Sequence, residues 1–325
     1  MRVPLLFLVV LATASVARAE ESVALSNAVR RGVDYVEMEG VAWIKERNCV
    51  SCHQIPAMLW TLGEAHKRGF YDHPKKLADW TEWSLHWQHW NTPKDKQTEA
   101  TVAAGNIDTM TSLILSYPAS LPAEKHKEQF VRYVAHIVRF QQKDGSWKAG
   151  GQLPLQKRAK EESGQVTTMW TILALDASGV DSSAVKDARR RAIKYVANLP
   201  PGKSTEWWLT RWLVERTSDK KKADALLAQL RKLQHDDGGW GWLHADPSDA
   251  FGTGLALYAF TRSGLAADDM AIRRGRDYLL RTQNKDGSWS TKSTLARHRS
   301  RVLPTSQHWA TAWATLALMF TMDGR

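Results

Sequence analysis

Both cysteines of the 325-residue chain lie in one stretch, RNCVSCHQIPAMLW (residues 47–60), as Cys49 and Cys52, with His53 directly after the second. Two sulfurs separated by two residues can reach the paired vinyl groups along one edge of a porphyrin. The adjacent imidazole can then swing beneath the ring and ligate iron through a nitrogen. The spacing therefore predicts one covalent haem c on Cys49, Cys52 and His53. Other uses of the pair fit less well. A disulfide between residues three apart closes a tiny loop and constrains little. A thioredoxin-like redox pair belongs beside a βαβ unit, and structural zinc needs a second Cys or His pair, neither of which the sequence offers.

The elements that must position this loop are set by an internal repeat. RFQQKDGSW (139–147), KLQHDDGGWGW (232–242) and RTQNKDGSW (281–289) each carry a helix-like run to Gln, then an Asp-Gly break, then Trp. Glycine supplies the positive φ that ends a helix, and aspartate favours the turn before it. An Ala-, Leu- and Thr-rich segment follows each break, as in SQHWATAWATLALMF. The same helix, turn, helix unit recurs over 25–70, 76–120, 125–179, 184–217, 221–264 and 271–321. In the last unit Ile272, Gly275, Leu279 and Thr282 form a narrow stripe, whereas HWATAWATLALMF is apolar nearly all round. The first pattern suits an outer helix and the second a buried inner one. No segment alternates with a period of two. A period near fifty residues predicts an all-α fold, a single α/α toroid (α6/α6 barrel) of six helical hairpins spanning residues 20–325.

These Gln…Asp-Gly-x-Trp repeats resemble the QW motifs of squalene–hopene cyclases and related terpene cyclases. The same toroid is similar to the β subunits of protein prenyltransferases and to complement thioester domains. The cyclase resemblance implies an Asp-x-Asp-Asp motif whose middle aspartate protonates an alkene. The matching stretch is ADPSDAFGTGLAL: Asp246 and Asp249 fit the outer positions, and Ser248 stands where the proton donor belongs. A hydroxyl is no acid of the required strength, and Asp246 and Asp249 equally suit capping of the following helix. Neither the zinc ligands of a prenyltransferase nor the Cys-Gly-Glu-Gln of a thioester domain is matched.

In a closed ring the sixth hairpin neighbours the first. His308, opening the last inner segment, is thus the expected second iron ligand opposite His53. His66, His86 and His89 compete, the last two placed on one helix face, while Met58 lies too close to the motif to reach the far side. The attachment loop, 47–56, sits in the first hairpin with Pro56 in the first turn of its second helix.

The first nineteen residues, with Arg2, the apolar run Pro4 to Ala12 and Ala17-Arg18-Ala19, predict a secretory signal and a periplasmic or extracellular protein without a transmembrane span. The formal charge of +11 falls to +9 without Arg2 and Arg18. Bases alternate with acids along helix-like segments, which suits a solvated face, leaves contact with a membrane surface open, and gives nucleic acid binding no motif. Sixteen tryptophans point to cavities or stacked layers. The resulting expectation is an exported c-type haem protein engaged in electron transfer or haem-based redox or ligand binding, with a redox protein or a small molecule in the cavity as partner. The alternative is an isoprenoid cyclase or isoprenoid-binding protein, with Asp108, Asp246 or Asp249 as the acid.

Overall fold

A computed structural model describes residues 5–51, 53–90, 97–117, 121 and 123–322, with side chains from residue 20 onward except at 123 and 125. The first hairpin pairs α1 (Leu5–Arg47) with α2 (Ile55–Lys67). The second runs α3 (Pro74–Leu85), α4 (Glu99–Ala104) and α5 (Ile107–Ser116), so two short helices stand where one outer helix was expected. The third is α6 (Lys127–Arg139) with α7 (Lys160–Ala177), and the fourth α8 (Ser183–Ala197) with α9 (Thr205–Glu215). The fifth is α10 (Lys220–Lys232) with α11 (Ala250–Arg262), and the sixth α12 (Met270–Thr282) with α13 (Pro304–Phe320). Among the described residues there is no strand, only four isolated backbone bridges between loops.

The second member of each hairpin packs on the next one, α2 on α5, α5 on α7, and onward through α9 and α11 to α13, which returns to α2. The inner ring is closed: the chain is an α/α toroid. Burial follows the sequence pattern. Every residue from Ala250 to Phe260 of α11 is buried, whereas α12 buries a stripe of Ala271, Ile272, Gly275, Arg276, Tyr278 and Leu279. Because outer and inner helices alternate, the six inner helices run in one direction, and their N-termini gather at one end of the ring.

The repeats are seams between neighbouring outer helices. Gln141 Nε2 donates to its own loop at Gly145 O (2.9 Å) and to Ala188 O of α8 (2.7 Å). Gln234 does the same to Gly238 O and to Ala271 O of α12 (3.0 Å). Gln283 joins Gly287 O to Ala28 O of α1 (2.9 Å), tying the last hairpin to the first. The glycines Gly145, Gly238 and Gly287 have φ of 92°, 90° and 89°. A Cβ on them would lie 2.5, 2.5 and 2.2 Å from the carbonyl oxygens of Arg191, Arg274 and Arg31, so only glycine lets the next helix approach. Each repeat Trp is buried and donates its indole N–H to the carbonyl of the residue ten positions earlier, Ile137, Leu230 and Leu279.

Over the end where the inner N-termini gather, the loops 148–159 and 290–303 meet: Lys157 N donates to Thr294 O at 2.8 Å, and Gln156 pairs with Leu295. No helix among the described residues is long and apolar enough to cross a membrane. The expected signal segment falls on residues 1–19, where residues 1–4 lie outside the described residues and the side chains of 5–19 are not described.

Candidate active site

The inner helices α2, α5, α7, α9 and α13, with the loop residues His53, Leu153 and Arg158, line a cavity with about 700 Å³ free of atoms, part of it open to solvent. Trp60 of α2, Trp170 of α7, and Trp309 and Trp313 of α13 wall it. Trp313 packs edge-on against Trp60 (5.4 Å between centroids) and lies 6.2 Å from Trp170. Indole faces in a desolvated space attract positive charge.

Among the described residues two carboxylates line this cavity, Asp108 and Glu206, and their environments differ. Arg158, with its side chain 1% exposed, pairs with Glu206 at 2.8 Å, and Trp170 Nε1 donates to the other carboxylate oxygen at 3.1 Å. The Arg158 guanidinium also stands 5.2 Å over the Trp242 ring. Glu206 is thus neutralised and fixed. Asp108, in the first turn of α5, accepts hydrogen bonds from Thr167 Oγ1 (2.6 Å) and Gly150 N (2.7 Å). Burial pushes its pKa up to about 6, against the pull of these donors and of Arg158, with Glu206 adding to the rise. Asp108 thus keeps its proton to a higher pH than an ordinary carboxyl group, up to about pH 6.

The other two candidate acids are structural. Asp249 is the N-cap of α11: one oxygen accepts from Gly252 N (2.7 Å) and the other from Trp242 N (2.8 Å). Burial raises its pKa against these two donors and Lys157. Asp246 does not cap; it pairs with Lys157 at the half-buried edge of the loop. Neither lines the cavity.

Ser248 faces away from the cavity too. Its hydroxyl donates to Asp237 Oδ1 (2.7 Å) and lies 2.9 Å from His235 Nδ1. In the first and third repeats the motif's own serine makes that bond, Ser146 to Asp144 and Ser288 to Asp286, both at 2.7 Å. The second repeat has Gly239 in that place, and a Cβ there would lie 2.7 Å from Ser248 Cβ. Ser248 reaches into the gap that Gly239 leaves. The residue at the proton-donor position is committed to repairing a repeat.

The Cys-x-x-Cys-His loop joins α1 to α2 as expected, with Pro56 in the first turn of α2. Its backbone is tightly folded, with Asn48 and Ser51 at φ of 47° and 52°. Cys49 is buried, its carbonyl accepts from Trp43 Nε1 (2.7 Å), and Val50 N donates to His89 O (2.6 Å). Cys52 lies outside the described residues. His53 lines the cavity, its ring 5.1 Å from that of Trp309, and burial pushes its pKa down to about 4. His308 does neighbour this loop, but its Nε2 lies 3.0 Å from Gln54 O, which makes it a strut between α13 and the loop. Burial lowers its pKa to about 4 as well. His86 and His89 do not share a helix face: α3 ends at Leu85, and His89 lies in a short 3-10 turn (Trp87–His89), stacked on Trp83 at 4.5 Å. Met58 is fully buried, with its sulfur directly beside Gly40 of α1.

Residues 208–325 match the family described as the squalene-hopene cyclase C-terminal domain. The ring is a terpene-cyclase-like toroid. The chain is similar to the squalene–hopene cyclase of Bradyrhizobium diazoefficiens, with 36% identity over 104 residues, 31% of this chain and 16% of that protein. It is similar also to the drimenyl diphosphate synthase of Streptomyces showdoensis, with 35% identity over 85 residues, 26% of this chain and 16% of that protein. A second drimenyl diphosphate synthase, from Streptantibioticus cattleyicolor, shares 35% over 80 residues, 25% of this chain and 14% of the relative. The chain thus spans about one-sixth of the curated relatives it matches.

These likenesses overturn the haem-based electron-transfer reading of the sequence. They all point to isoprenoid cyclases. Among the described residues no group of three His, Cys, Asp or Glu side chains is placed to hold a metal ion, and His308 is tied to Gln54 O. Sequence reasoning also passed over the four cavity tryptophans and the Arg158–Glu206 pair. A signal for the former was present, since Trp309 and Trp313 stand four apart on one helix face.

Proposed function

We propose that this chain binds an isoprenoid-class ligand in the ring cavity and that Asp108 starts a cyclase-type reaction on it. The observation that carries this reading is a buried carboxyl group with a pKa of about 6 in a cavity walled by four tryptophans. In the step proposed, the Asp108 O–H bond breaks as an alkene π pair takes the proton and forms a C–H bond. This leaves a carboxylate and a tertiary cation on the neighbouring carbon. Internal π bonds then close rings onto that cation. Loss of a proton from the final cation restores a neutral product and, returned to Asp108, the acid. Thr167 and Gly150 stabilise the carboxylate that each protonation leaves behind. The indoles of Trp60, Trp170, Trp309 and Trp313 supply the cation-stabilising wall. The likeness to squalene–hopene cyclase and drimenyl diphosphate synthases supports the substrate class.

The test is incubation of the full chain with linear isoprenoids, squalene and farnesyl compounds among them, with products analysed by gas chromatography and mass spectrometry. Asp108→Asn is expected to lower turnover by about 100-fold or more while ligand quenching of tryptophan fluorescence persists. Undiminished cyclisation by that variant would remove Asp108 from the mechanism. Tight binding with no product from the wild type would make the ring an isoprenoid-binding protein, the reading that the commitment of Ser248 to the second repeat favours.

A further inference from the structure

A second pocket adjoins the tryptophan cavity beneath the joined loops, and the two share His53, Leu153 and Trp309. Its wall mixes uncharged polar groups with the apolar Leu153, Leu295 and Trp309. Gln152 and Gln156 come from one loop, Ser293 and Thr294 from the other, and Thr305 and Ser306 from the start of α13; among the described residues no Lys, Arg, Asp or Glu lines it. Gln156 is 6% exposed. Its Nε2 is turned toward Thr294 Oγ1 at 3.4 Å, while its Oε1 is buried with no hydrogen-bond partner among the described residues. An amide oxygen without a donor at such depth is costly, and a ligand O–H can repay it. The bases of the second loop, Lys292, Arg297, Arg299 and Arg301, are exposed and do not line this pocket.

We infer that this pocket receives the polar end of an isoprenoid whose chain lies in the tryptophan cavity, and that this end is a neutral hydroxyl which donates to Gln156 Oε1. The inference rests on the proposed isoprenoid reading of the cavity and narrows it to an isoprenyl alcohol. An anionic head is disfavoured for a physical reason: a diphosphate here would be stripped of water with no cation on the described wall to meet it. This departs from the diphosphates named for two of the similar synthases.

The test compares farnesol, its O-methyl ether, farnesyl diphosphate and the matching hydrocarbon for binding to the full chain, read by quenching of tryptophan fluorescence. The alcohol is expected to bind about tenfold tighter than the ether, which keeps the oxygen but lacks the donor, and tighter than the diphosphate. In Gln156→Met the advantage over the ether is expected to vanish while the hydrocarbon binds as before. Equal binding of alcohol and ether to the wild type, tighter binding of the diphosphate, or an advantage that survives in Gln156→Met would each overturn the inference. The wild-type series decides the matter even should the variant fail to fold. Head-group indifference with tight hydrocarbon binding sinks this inference alone, whereas no binding of any of the four sinks the isoprenoid reading and this one with it.

Discussion

If Ser248 is a repair of the second repeat, placing a serine at position 239 should make Ser248 dispensable. The perturbation is a pair of substitutions, Ser248→Ala and Gly239→Ser, made singly and together. Ser248→Ala removes a 2.7 Å hydrogen bond to the Asp237 carboxylate and a 2.9 Å contact with His235. A bond to a charged acceptor is worth about 1.5–3 kcal/mol, and the exposure of Asp237 puts this one near the lower figure. Gly239→Ser alone pushes a Cβ to within 2.7 Å of Ser248 Cβ and 3.0 Å of Thr253 Oγ1, an overpacking worth about 1–3 kcal/mol. Combined, the 2.8 Å contact with Ser248 Oγ is gone, and the Cβ at 2.7 Å, no longer held by the hydroxyl's hydrogen bonds, is free to withdraw. The hydroxyl introduced by Gly239→Ser then meets Asp237 as Ser146 meets Asp144. The double variant should lie within about 0.5 kcal/mol of wild type, a coupling of about 2 kcal/mol or more between the sites. Urea unfolding of the four proteins measures it. Losses that simply add would refute the repair and leave the outward turn of Ser248 without its reason.

The same geometry predicts that Ser248→Asp, which restores the Asp-x-Asp-Asp spelling, gains no cyclase activity. It loses about 1 kcal/mol, because the new carboxylate faces Asp237 and not the cavity; product formation above wild type would contradict this. Asp108 makes stability depend on pH in a stated direction. Its native pKa is raised from 3.8 to about 6, so between those values the native state holds a proton that the unfolded chain has lost, and rising pH favours unfolding. Wild type should lose up to about 3 kcal/mol relative to Asp108→Asn as pH climbs from 4 through 6, and a stability difference that is flat with pH would refute the burial argument. Gln283→Ala removes the bonds to Ala28 O and Gly287 O, costing about 2 kcal/mol. Hydrogen exchange should quicken in α1 and α12 first, and uniform acceleration around the ring would count against a local seam.

The parts of this molecule that were legible from the sequence are those written locally. The Gln…Asp-Gly-x-Trp spelling encodes a turn, a positive φ and a buried indole within ten residues, and the helix, turn, helix pattern that it punctuates recurs six times, so the hairpins could be read from it. Asp249 as a cap is equally local, since its bond to Gly252 spans three residues. The contacts that decide the site are not local. Arg158 meets Glu206 across 48 positions and His308 meets Gln54 O across 254, and no short pattern announces either. The Cys-x-x-Cys-His spacing pointed to electron transfer because five residues define a motif but say nothing of the wall they face, here a Trp-lined cavity. Ser248 sits between these cases. Gly239 breaks the serine shared by the other two repeats, a discrepancy visible in the sequence, but what fills it lies nine residues on.

All six inner helices point their amino ends at the end of the ring that the loops 148–159 and 290–303 cover. Each carries a partial positive charge there and its counterpart at the far end, so six aligned dipoles set up an electric gradient along the axis of the ring. A carbocation born beside Asp108, in the first turn of α5, would therefore be driven inward, toward Trp60 and Trp313, which lie deeper along their helices. The polarity of the fold itself works as a one-way slope for charge.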